Sequence, residues 1–482
     1  MKLSELISPD RCAGPDVDIT GLTLDSRAVQ PGFLFAALPG LHVHGRDFIS
    51  QAIKAGASAI LTEPGVDTGS VPAIHDADPA VRFAAIAARF YPRQPQVIAA
   101  VTGTNGKSST VDFLRQIWRR AGIDGASLGT LGVARGEGWV ETGYTTPDAA
   151  AVHKALDELA ADKCTHLAME ASSHGLKQKR MEGVCVTLTG FTNLTQDHLD
   201  YHPDFEDYFA SKLKLFLELA PTGSWAIINV DSEWGETVAD KCSARGLNVI
   251  QVGWRGRDWR IREITPKAAS QQIILEVNGQ TRRIELPLVG EFQVANAVSA
   301  AAMATHSGVS QDDAIAAIAR LEGVPGRLEL AARTDAGCPV LVDFAHTPDG
   351  LDKLIRAARP HTRGRIFIVF GCGGDRDPTK RKPMGEIAVK LADHVIVTDD
   401  NPRSERAADI RAKIMEGAVG AEEIGDRAQA IRAALRQMKA GDTLLLAGKG
   451  HETGQKIGDI IHPFDDREEA RKAVAALERA DD

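Results

Sequence analysis

Cysteine is scarce in this chain, and the spacing of the few cysteines excludes the common uses of clustered thiols. Six cysteines are scattered over 482 residues, at positions 12, 164, 185, 242, 338 and 372, and no two of them form a Cys-x-x-Cys pair. This distribution is typical of reduced thiols in a cytosolic protein. We therefore expect neither a disulfide framework nor a zinc site.

Long hydrophobic segments and an excess of positive charge are also missing. No apolar run approaches the roughly 18 residues of a membrane-spanning helix, and Met1 to Leu6 lack the apolar segment of a signal peptide. The net charge is −9, which argues against nucleic acid as a general partner. Hydrophobic residues make up 43% and charged residues 25% of the chain, as in ordinary globular proteins. These features predict a cytoplasmic protein with no membrane insertion and no nucleic-acid partner.

Length and patterning predict three domains, since a typical domain has about 150 residues and this chain has 482. Residues 1–96 show mixed strand and helix signals and end in a linker with two prolines. Residues 97–326 alternate strand-like runs, including Val184 to Leu188 and Trp225 to Val230, with helical stretches. Residues 327–482 alternate again. We predict an α/β protein with a small mixed N-terminal domain, a central P-loop-type domain with a mainly parallel sheet and a C-terminal Rossmann-like domain.

The most informative motif is the segment from Val97 to Thr110. An apolar strand is followed by the loop Gly103-Thr104-Asn105-Gly106-Lys107-Ser108, and helical spacing begins at Val111. Glycines let backbone N–H groups approach phosphate, Lys107 adds a positive charge, and the Ser108 hydroxyl can hold a magnesium ion. The loop is shorter than the standard P-loop, and a plain turn is the alternative. The strand before it and the helix after it favour a nucleotide site, so we predict that the chain uses ATP.

Two acidic or histidine-containing segments in the central region are candidates for catalysis. Glu170 follows a short apolar strand, at the end where open α/β sheets bind ligands, although an N-cap cluster is the alternative. His198 lies in the segment Thr195 to His202, which holds two histidines and two aspartates within eight residues. A metal or acid–base role and a solvated polar loop both remain open for that segment.

Lys212 lies where a lysine is unusual. The apolar residues between Phe205 and Ala220 recur at helical spacing, and Lys212 falls in the middle of their face, whereas Lys214 falls on the opposite side. A stem that reaches out to solvent is the ordinary explanation. Burial would instead favour an uncharged, nucleophilic amine, and this indicates a special role for Lys212.

Four polar loops of the C-terminal region each follow a predicted strand. They span residues 342–348, 371–377, 399–403 and 447–452. Loops at one edge of a sheet form a binding face, although ordinary turns would show similar residues. Arg376 and Arg403 carry the planar guanidinium that clasps carboxylates, which points to a substrate with carboxyl groups.

Together these segments closely resemble the Mur ligases, the ATP-dependent amino-acid-adding enzymes of peptidoglycan precursor synthesis. The motifs that carry the resemblance span the chain: Leu24-Asp25-Ser26-Arg27, the loop from Gly103, Glu170 to Leu176, Asp197 to His202, Asp343 to Pro348, and Asp400-Asn401-Pro402-Arg403. The last is the family's signature for meso-diaminopimelate. The resemblance implies ATP-dependent addition of meso-diaminopimelate to the D-glutamate γ-carboxyl of UDP-N-acetylmuramoyl-L-alanyl-D-glutamate through an acyl phosphate. A monomer that binds only small-molecule substrates is expected.

Three alternatives stay open at this point. They are the corresponding L-lysine-adding ligase, folylpolyglutamate synthesis in the same superfamily, and a non-enzymatic nucleotide-binding switch. Arg403 argues against the first, and the N-terminal nucleotide-binding region argues against the second. Phosphate release that depends on substrate would exclude the third.

The resemblance also implies roles for individual residues in nucleotide and metal binding. The uridine nucleotide would contact Leu24, Ser26, Leu41, His42 and Val43. The muramoyl dipeptide would contact Thr145, Thr146, Ser172, Gln178 and Arg180. ATP would contact Gly103, Thr104, Asn105, Gly106, Lys107, Ser108, Ser109, Asn296, Arg327, Asp343 and His346. Magnesium ions would be held by Ser108, Glu170, His198 and a carbamate formed from CO2 on Lys212.

The same resemblance assigns the amino-acid site and the catalytic residues. Meso-diaminopimelate would contact Arg376, Asp400, Asn401, Pro402, Arg403, Gly448 and Glu452. The catalytic residues would be Lys107, Glu170, His198 and Lys212. The chain departs from the usual family pattern at Ser108-Ser109, where two threonines are common, at Phe344 in place of tyrosine, at Gln293 in place of asparagine, and at Tyr144 in place of a small polar residue.

Overall fold

The computed structural model describes residues 1–7, 15–40, 43–136, 138–140, 145–195 and 201–481. The chain forms two compact units. The first unit contains Met1–Arg257 and Ser299–Ala314, and the second unit contains Asp258–Val298 and Ile315–Asp482. Within the described ranges, no helix is both long and apolar enough to cross a membrane.

The N-terminal part of the first unit is a four-stranded parallel sheet with the strand order β1-β2-β3-β4. Its strands are β1 (Gly21–Thr23), β2 (Phe33–Ala36), β3 (Ala59–Thr62) and β4 (Ala73–His75), and its helices are α1 (Leu3–Leu6), α2 (Ile49–Lys54) and α3 (Pro79–Phe90). Its core contains Leu34, Leu61, Ile74 and Phe83, all buried. Asp78 caps α3 by accepting from the Val81 N–H at 3.1 Å, as the aspartate-proline sequence favours.

The rest of the first unit is built on a larger sheet that places β5 in its interior. The strands are β5 (Val97–Thr102), β6 (Gly125–Gly129), β7 (Gly132–Arg135), β8 (Gly138–Val140), β9 (His166–Glu170), β10 (Leu188–Phe191), β11 (Trp225–Asn229) and β12 (Asn248–Gly253), in the order β12-β11-β10-β5-β9-β6-β7-β8. The strands from β12 to β6 are parallel, and β7 and β8 are antiparallel. Helices α4 (Lys107–Arg120), α5 (Ala149–Ala161), α6 (Ser173–Lys177), α7 (Phe205–Lys214) and α8 (Glu233–Ala244) connect them. Because β5 pairs with both β9 and β10, the loops after these three strands meet at one edge.

The second unit begins with an antiparallel meander of β13 (Trp259–Lys267), β14 (Ser270–Val277) and β15 (Gln280–Leu286). Helices α9 (Glu291–Thr305) and α10 (Gln311–Ile318) follow, and each is divided between the two units. Residues 258–298 lie inside the predicted central domain, although they belong to the second unit. Because the chain divides into two units and the sequence predicts three domains, the units do not test the predicted boundaries, and these stay predictions.

The remainder of the second unit is the predicted Rossmann-like sheet, in the order β16-β17-β21-β18-β19-β20. Its strands are β16 (Glu329–Arg333), β17 (Pro339–Asp343), β18 (Ile366–Phe370), β19 (His394–Val397), β20 (Glu422–Glu423) and β21 (Thr443–Ala447), and all except β16 run parallel. Its helices are α11 (Pro348–Ala358), α12 (Arg381–Leu391), α13 (Ala407–Met415), α14 (Arg427–Gln437) and α15 (Asp466–Asp481), and a hairpin of β22 (Gly454–Ile457) and β23 (Ile460–Pro463) follows β21. The predicted α/β class with mainly parallel sheets is confirmed.

Candidate active site

The predicted phosphate loop joins the end of β5 to the start of α4. Gly106 has a φ of +87° and precedes the first helical residue, Lys107. Gly103 has a φ of +151°, and a Cβ on it would lie 1.9 Å from Thr192 Oγ1. Gly106 is therefore required by its left-handed backbone, and Gly103 by the close approach of the Thr192 side chain.

The segment after β10 holds this loop in place. The Thr104 N–H donates to Asn193 O at 2.9 Å, and the Asn105 N–H donates to Asn193 Oδ1 at 3.0 Å. The Thr192 hydroxyl donates to Asn105 O at 2.6 Å. These contacts come from the protein itself and hold the loop backbone in a defined conformation.

Lys107 is the first residue of α4, where the positive end of the helix dipole lies. Its Nζ donates to Gly103 O and Thr104 O, both at 2.8 Å. The ammonium group thus lies across the loop. Together with the helix N-terminus it makes this turn favourable for phosphate.

Ser108 and Glu170 are brought together by the pairing of β5 with β9. The Ser108 hydroxyl donates to Glu170 Oε1 at 2.9 Å, and the Thr130 N–H donates to the same oxygen at 2.8 Å. Glu170 is only 2% exposed. A hydroxyl beside a buried carboxylate is an oxygen donor set that suits magnesium.

The third magnesium candidate, His198, lies outside the described residues. Within the ranges that the structure describes, no three His, Cys, Asp or Glu side chains are grouped closely enough to hold a metal ion. The structure therefore supports Ser108 and Glu170 as neighbours and leaves the contribution of His198 as a prediction.

Gly129 leaves the space that the Glu170 carboxylate occupies. A Cβ at this position would lie 2.0 Å from Glu170 Oε1. We expect Gly129→Ala to displace the carboxylate and to lower turnover at least about tenfold, because active-site groups must be held within fractions of an ångström. Steady-state phosphate release measures this effect. Gly138→Ala is the control, since a Cβ there meets no atom closer than 4.0 Å; equal activity of both variants would contradict the expectation.

The predicted muramoyl-dipeptide residues cluster around the end of β9. The Thr146 hydroxyl donates to Glu170 O at 2.9 Å and accepts from the Ser172 N–H at 3.0 Å. Arg180 donates to Thr146 O at 2.6 Å and forms two hydrogen bonds to Gln178 Oε1, at 3.0 and 2.6 Å. Thr145 reaches the same cluster through Thr130, at 3.0 Å between their hydroxyls.

Three of the predicted uridine-nucleotide residues, Leu24, Ser26 and Val43, belong to the N-terminal sheet and its surroundings. Ser26 is nearly buried and donates to Gln51 Oε1 at 3.2 Å. Leu24 and Val43 are exposed. Leu41 and His42 lie outside the described residues, as does Tyr144.

Lys212 is buried, as its place in the sequence pattern indicates. It lies on α7 with 1% exposure, and its Nζ donates to Gly103 O at 2.8 Å. The Nζ also lies 4.3 Å from the centre of the Tyr208 ring. The Tyr208 hydroxyl is in turn 3.1 Å from Thr104 Oγ1. Lys212 therefore touches the phosphate loop itself.

Three predicted ATP residues of the second unit meet around the end of β17. The Asp343 carboxylate accepts from the Leu328 and Ala345 N–H groups, both at 2.8 Å. Burial raises the pKa of the Asp343 carboxyl, and the charge of Arg327 opposes that effect. The Arg327 guanidinium lies 5.4 Å from the Phe344 ring centre, and His346 Nδ1 lies 2.7 Å from Phe344 O.

Asn296, the fourth predicted ATP residue of this unit, is linked to Arg327 through Gln293. Its Nδ2 donates to Gln293 Oε1 at 3.4 Å, and Gln293 Nε2 donates to Arg327 O at 3.3 Å. Gln293, one of the departures from the family pattern, thus bridges two predicted nucleotide contacts.

The predicted amino-acid residues form a compact cluster at the ends of β19 and β21. Asn401 Nδ2 donates to Glu452 Oε2 at 2.8 Å. Gly448 has a φ of +116°, and a Cβ on it would lie 2.7 Å from Asp400 Oδ2. Pro402 follows Asn401 and is buried. The structure therefore brings Asp400, Asn401, Gly448 and Glu452 together.

Arg403 is held by the hairpin of β22 and β23. Its N–H donates to Lys456 O at 3.0 Å, and its carbonyl accepts from the Gly458 N–H at 2.7 Å. Its φ of +52° is unfavourable for a residue with a side chain. The guanidinium donates to Gly374 O at 2.8 Å, whereas Arg376 is exposed. The surroundings thus impose a strained backbone that aims the Arg403 side chain.

Sequence reasoning missed two residues of these clusters. Thr130 binds the Glu170 carboxylate through both its N–H and its hydroxyl, at 2.8 and 3.3 Å. Lys449 is fully buried beside Glu452. No local pattern marks Thr130, and the flanking glycines of Lys449 are typical of an exposed turn.

Comparison with models of known families gives a consistent result over most of the chain. The chain matches the models of the Mur ligase family, catalytic domain (residues 18–101), the Mur ligase middle domain (residues 101–304) and the Mur ligase, glutamate ligase domain (residues 326–450).

Individual relatives resemble the chain over nearly its full length. It is 48% identical over 483 residues to UDP-N-acetylmuramoyl-L-alanyl-D-glutamate--2,6-diaminopimelate ligase of Bradyrhizobium diazoefficiens, with 99% of each chain covered. It is 46% identical to the ligase of the same name from Caulobacter vibrioides, again with 99% of each covered. A solved structure of a ligase of that name is 31% identical, with a TM-score of 0.72 and 99% of each chain covered.

Proposed function

The chain belongs to the Mur ligase family, and we propose that it joins meso-2,6-diaminopimelate to the D-glutamate γ-carboxyl of UDP-N-acetylmuramoyl-L-alanyl-D-glutamate at the expense of ATP. The observation that carries the choice of amino acid is the cluster of Asp400, Asn401, Arg403 and Glu452, which offers groups for both an ammonium and a second carboxylate. It is an ATP-dependent ligase that releases ADP and phosphate, and its product is a peptidoglycan precursor. Its cytoplasmic location and monomeric state stay predictions.

The reaction needs ATP because a carboxylate does not exchange its oxygen for an amine at neutral pH. The γ-carboxylate oxygen attacks the γ-phosphorus of ATP, which gives an acyl phosphate and ADP. The diaminopimelate amine then attacks the acyl carbon, and the resulting tetrahedral intermediate expels phosphate. Most of the protein's contribution is positioning and the neutralisation of developing charge.

We assign the phosphate contacts to the loop from Gly103 to Ser109. The backbone N–H groups, the N-terminus of α4 and Lys107 would bind the transferring phosphate. The Ser108 hydroxyl and the Glu170 carboxylate, 2.9 Å apart, would hold magnesium together with His198. Bound magnesium would neutralise phosphate charge. Of the second unit, Asn296, Arg327, Asp343 and His346 are assigned to ATP.

We also assign the remaining substrate contacts by cluster. Thr145, Thr146, Ser172, Gln178 and Arg180 would bind the muramoyl dipeptide, which is supported by their links to Glu170. Leu24, Ser26, Leu41, His42 and Val43 would bind the uridine nucleotide.

We infer that Lys212 acts as a carbamate. An uncharged Nζ attacks the carbon of CO2 and loses a proton, which forms an N–C bond and leaves a carboxylate-like group with one remaining N–H. Burial of Lys212 at 1% exposure favours the uncharged amine. The remaining N–H can still donate to Gly103 O, and the two new oxygens are suitable magnesium ligands.

Arg403→Ala is expected to raise the KM for meso-diaminopimelate on the order of a hundredfold, with little change in the KM for ATP. The guanidinium is the group that can clasp the second carboxylate, and sites built around such a contact discriminate strongly. Steady-state kinetics with each substrate varied in turn measure this. Arg406→Ala, at an exposed arginine before α13, is the control. Equal losses for all substrates would assign Arg403 a structural role in the turn.

A panel of amino acids tests the proposed function directly. The purified protein is supplied with ATP, magnesium and UDP-N-acetylmuramoyl-L-alanyl-D-glutamate, and phosphate release and product mass are measured with meso-diaminopimelate, L-lysine, L-ornithine or no amino acid. We expect ligation with meso-diaminopimelate in clear preference. Preferential ligation of L-lysine would replace the proposal with the lysine-adding reaction, and absence of ligation with every amino acid would overturn it.

A further inference from the structure

Lys449 is a buried lysine that hydrogen-bonds two residues of the amino-acid cluster and the carbonyl of Gly454 in β22. It follows β21 and has 0% exposure. Its Nζ donates to Gly454 O at 2.6 Å, to Glu452 Oε2 at 3.1 Å and, most weakly, to Asn401 Oδ1 at 3.5 Å. An ammonium group has three donors, so all of them are used. The lysine is fully satisfied, although it is fully out of water.

These contacts fix the orientation of the Asn401 amide. Its Oδ1 accepts from the Lys456 N–H at 2.8 Å as well as from Lys449, and its Nδ2 donates to Glu452 Oε2. A flipped amide would place Nδ2 against two donors, which is unfavourable. Within the described part of the chain, Glu452 Oε1 accepts no hydrogen bond. One carboxylate oxygen and one amide hydrogen therefore remain for a ligand.

The cluster is also balanced in charge. Among its buried and half-buried side chains, Asp400 and Glu452 are acidic and Arg403 and Lys449 are basic, so two charges of each sign lie on adjoining loops. Arg427 also interacts with Asp400 and Glu452 but is paired with Asp466 at 2.7 Å, and Arg376 is exposed and is left out of this balance. The distal end of meso-diaminopimelate carries an ammonium and a carboxylate and is neutral overall. The distal end of L-lysine carries only an ammonium. Loss of one basic residue would leave the cluster with excess negative charge, which favours the cationic ligand.

We propose that Lys449 is a positioning and specificity-determining residue of the amino-acid site, an inference that rests on the proposed function. It holds Glu452 and Asn401 in the orientation that receives the distal end of the amino acid. Its charge also sets the preference for a distal end that bears a carboxylate. A lysine that only stabilised the loop would affect binding of every amino acid equally.

Lys449→Met tests both parts of this proposal. The KM for meso-diaminopimelate is expected to rise on the order of tenfold while the KM for ATP stays within about twofold. When both amino acids are supplied together, mass spectrometry of the product should show that the ratio of L-lysine to meso-diaminopimelate incorporated rises on the order of tenfold. Lys413→Met, at an exposed lysine of α13, is the matched control and should match the wild type. An unchanged incorporation ratio would overturn the role in specificity. Equal rises in the KM for meso-diaminopimelate and the KM for ATP would overturn the role in positioning.

A second variant separates the loss of charge from the loss of folding. Lys449→Met/Glu452→Gln removes one charge of each sign, so the half-buried Glu452 side chain is not left as a carboxylate without its cation. We expect it to fold, to retain a raised KM for meso-diaminopimelate and to incorporate less L-lysine than the single variant. A KM equal to that of the wild type would overturn the proposal. Failure of the wild-type protein to add meso-diaminopimelate would instead contradict the proposed function, so the two outcomes are distinguishable.

Discussion

Replacing Lys107 with alanine is expected to lower turnover by a factor on the order of a hundred to a thousand while the protein still folds. The ammonium of Lys107 lies 2.8 Å from two loop carbonyls at the N-terminus of α4, where a transferring phosphate would gain negative charge. Loss of a preorganised charge at such a position removes several kcal/mol of transition-state stabilisation. Two lost hydrogen bonds to the loop would cost only about 1 kcal/mol each in folding stability.

Single-turnover phosphate release and thermal unfolding together check this expectation. Lys154→Ala is the control, because Lys154 is an exposed lysine of the same unit on α5. If purified Lys107→Ala retains most of its turnover, the loop does not bind the transferring phosphate. If turnover and unfolding temperature fall together, the lysine acts mainly on stability.

Much of the fold was predictable because strand and helix patterns in an α/β chain are local. The apolar run Val97 to Val101 became β5, and the strands predicted before the polar loops at residues 371, 399 and 447 became β18, β19 and β21. The predicted strand Val184 to Leu188 was wrong in position, since β10 spans Leu188–Phe191. The polar Thr189 and the glycine at 190 made this segment look unlike a strand. Thr189 is nevertheless fully buried, and a Cβ on Gly190 would lie 3.1 Å from Met303 Sδ. Both residues are explained by contacts with distant parts of the chain, which a local sequence pattern does not show.

The meander of β13 to β15 was also missed, for a different reason. Its strand β14 alternates buried and half-buried residues, but many of its positions are glutamine, glutamate or serine. Gln271 is fully buried and uses its side-chain amide to bind Leu288 O and Gly290 O. A polar residue at a core position weakens the alternation on which a strand prediction depends.

Residues of the candidate site could be predicted where the chemistry requires a particular side chain. Residues that serve the site only through their position in space could not be predicted. Ser108, Glu170 and Lys212 stand out because a hydroxyl after Gly-Lys, a carboxylate at a strand end and a lysine on an apolar face are each unusual. Thr130 and Gly129 serve the same site through a backbone N–H and through the absence of a Cβ. Their contribution depends on the distance between β6 and β9, which the sequence does not specify locally.

The activity of Lys212 variants is expected to depend on a carboxylate group rather than on positive charge. Lys212→Ala should lose turnover by a factor on the order of a hundred or more, as expected when a charge-stabilising group is removed. Acetate or formate should restore part of it by occupying the vacated space. Lys212→Arg should stay inactive, because a guanidinium keeps the charge but cannot react with CO2.

The position of Lys212 explains why these variants should differ. Its Nζ donates to Gly103 O, the first carbonyl of the phosphate loop, from a helix face that is otherwise apolar. A bare ammonium at this point would add a second positive charge beside Lys107, whereas a carbamate adds oxygen ligands for a cation. Lys214→Ala, two residues further along α7, is the matched control and should retain wild-type turnover. Labelling with ¹³C-bicarbonate followed by ¹³C NMR detects the carbamate directly. Two results would contradict carbamylation: normal turnover of Lys212→Arg, or a bare Lys212 amine in a magnesium-loaded active enzyme. Lys212 would then act as a cation that stabilises the loop through Gly103 O.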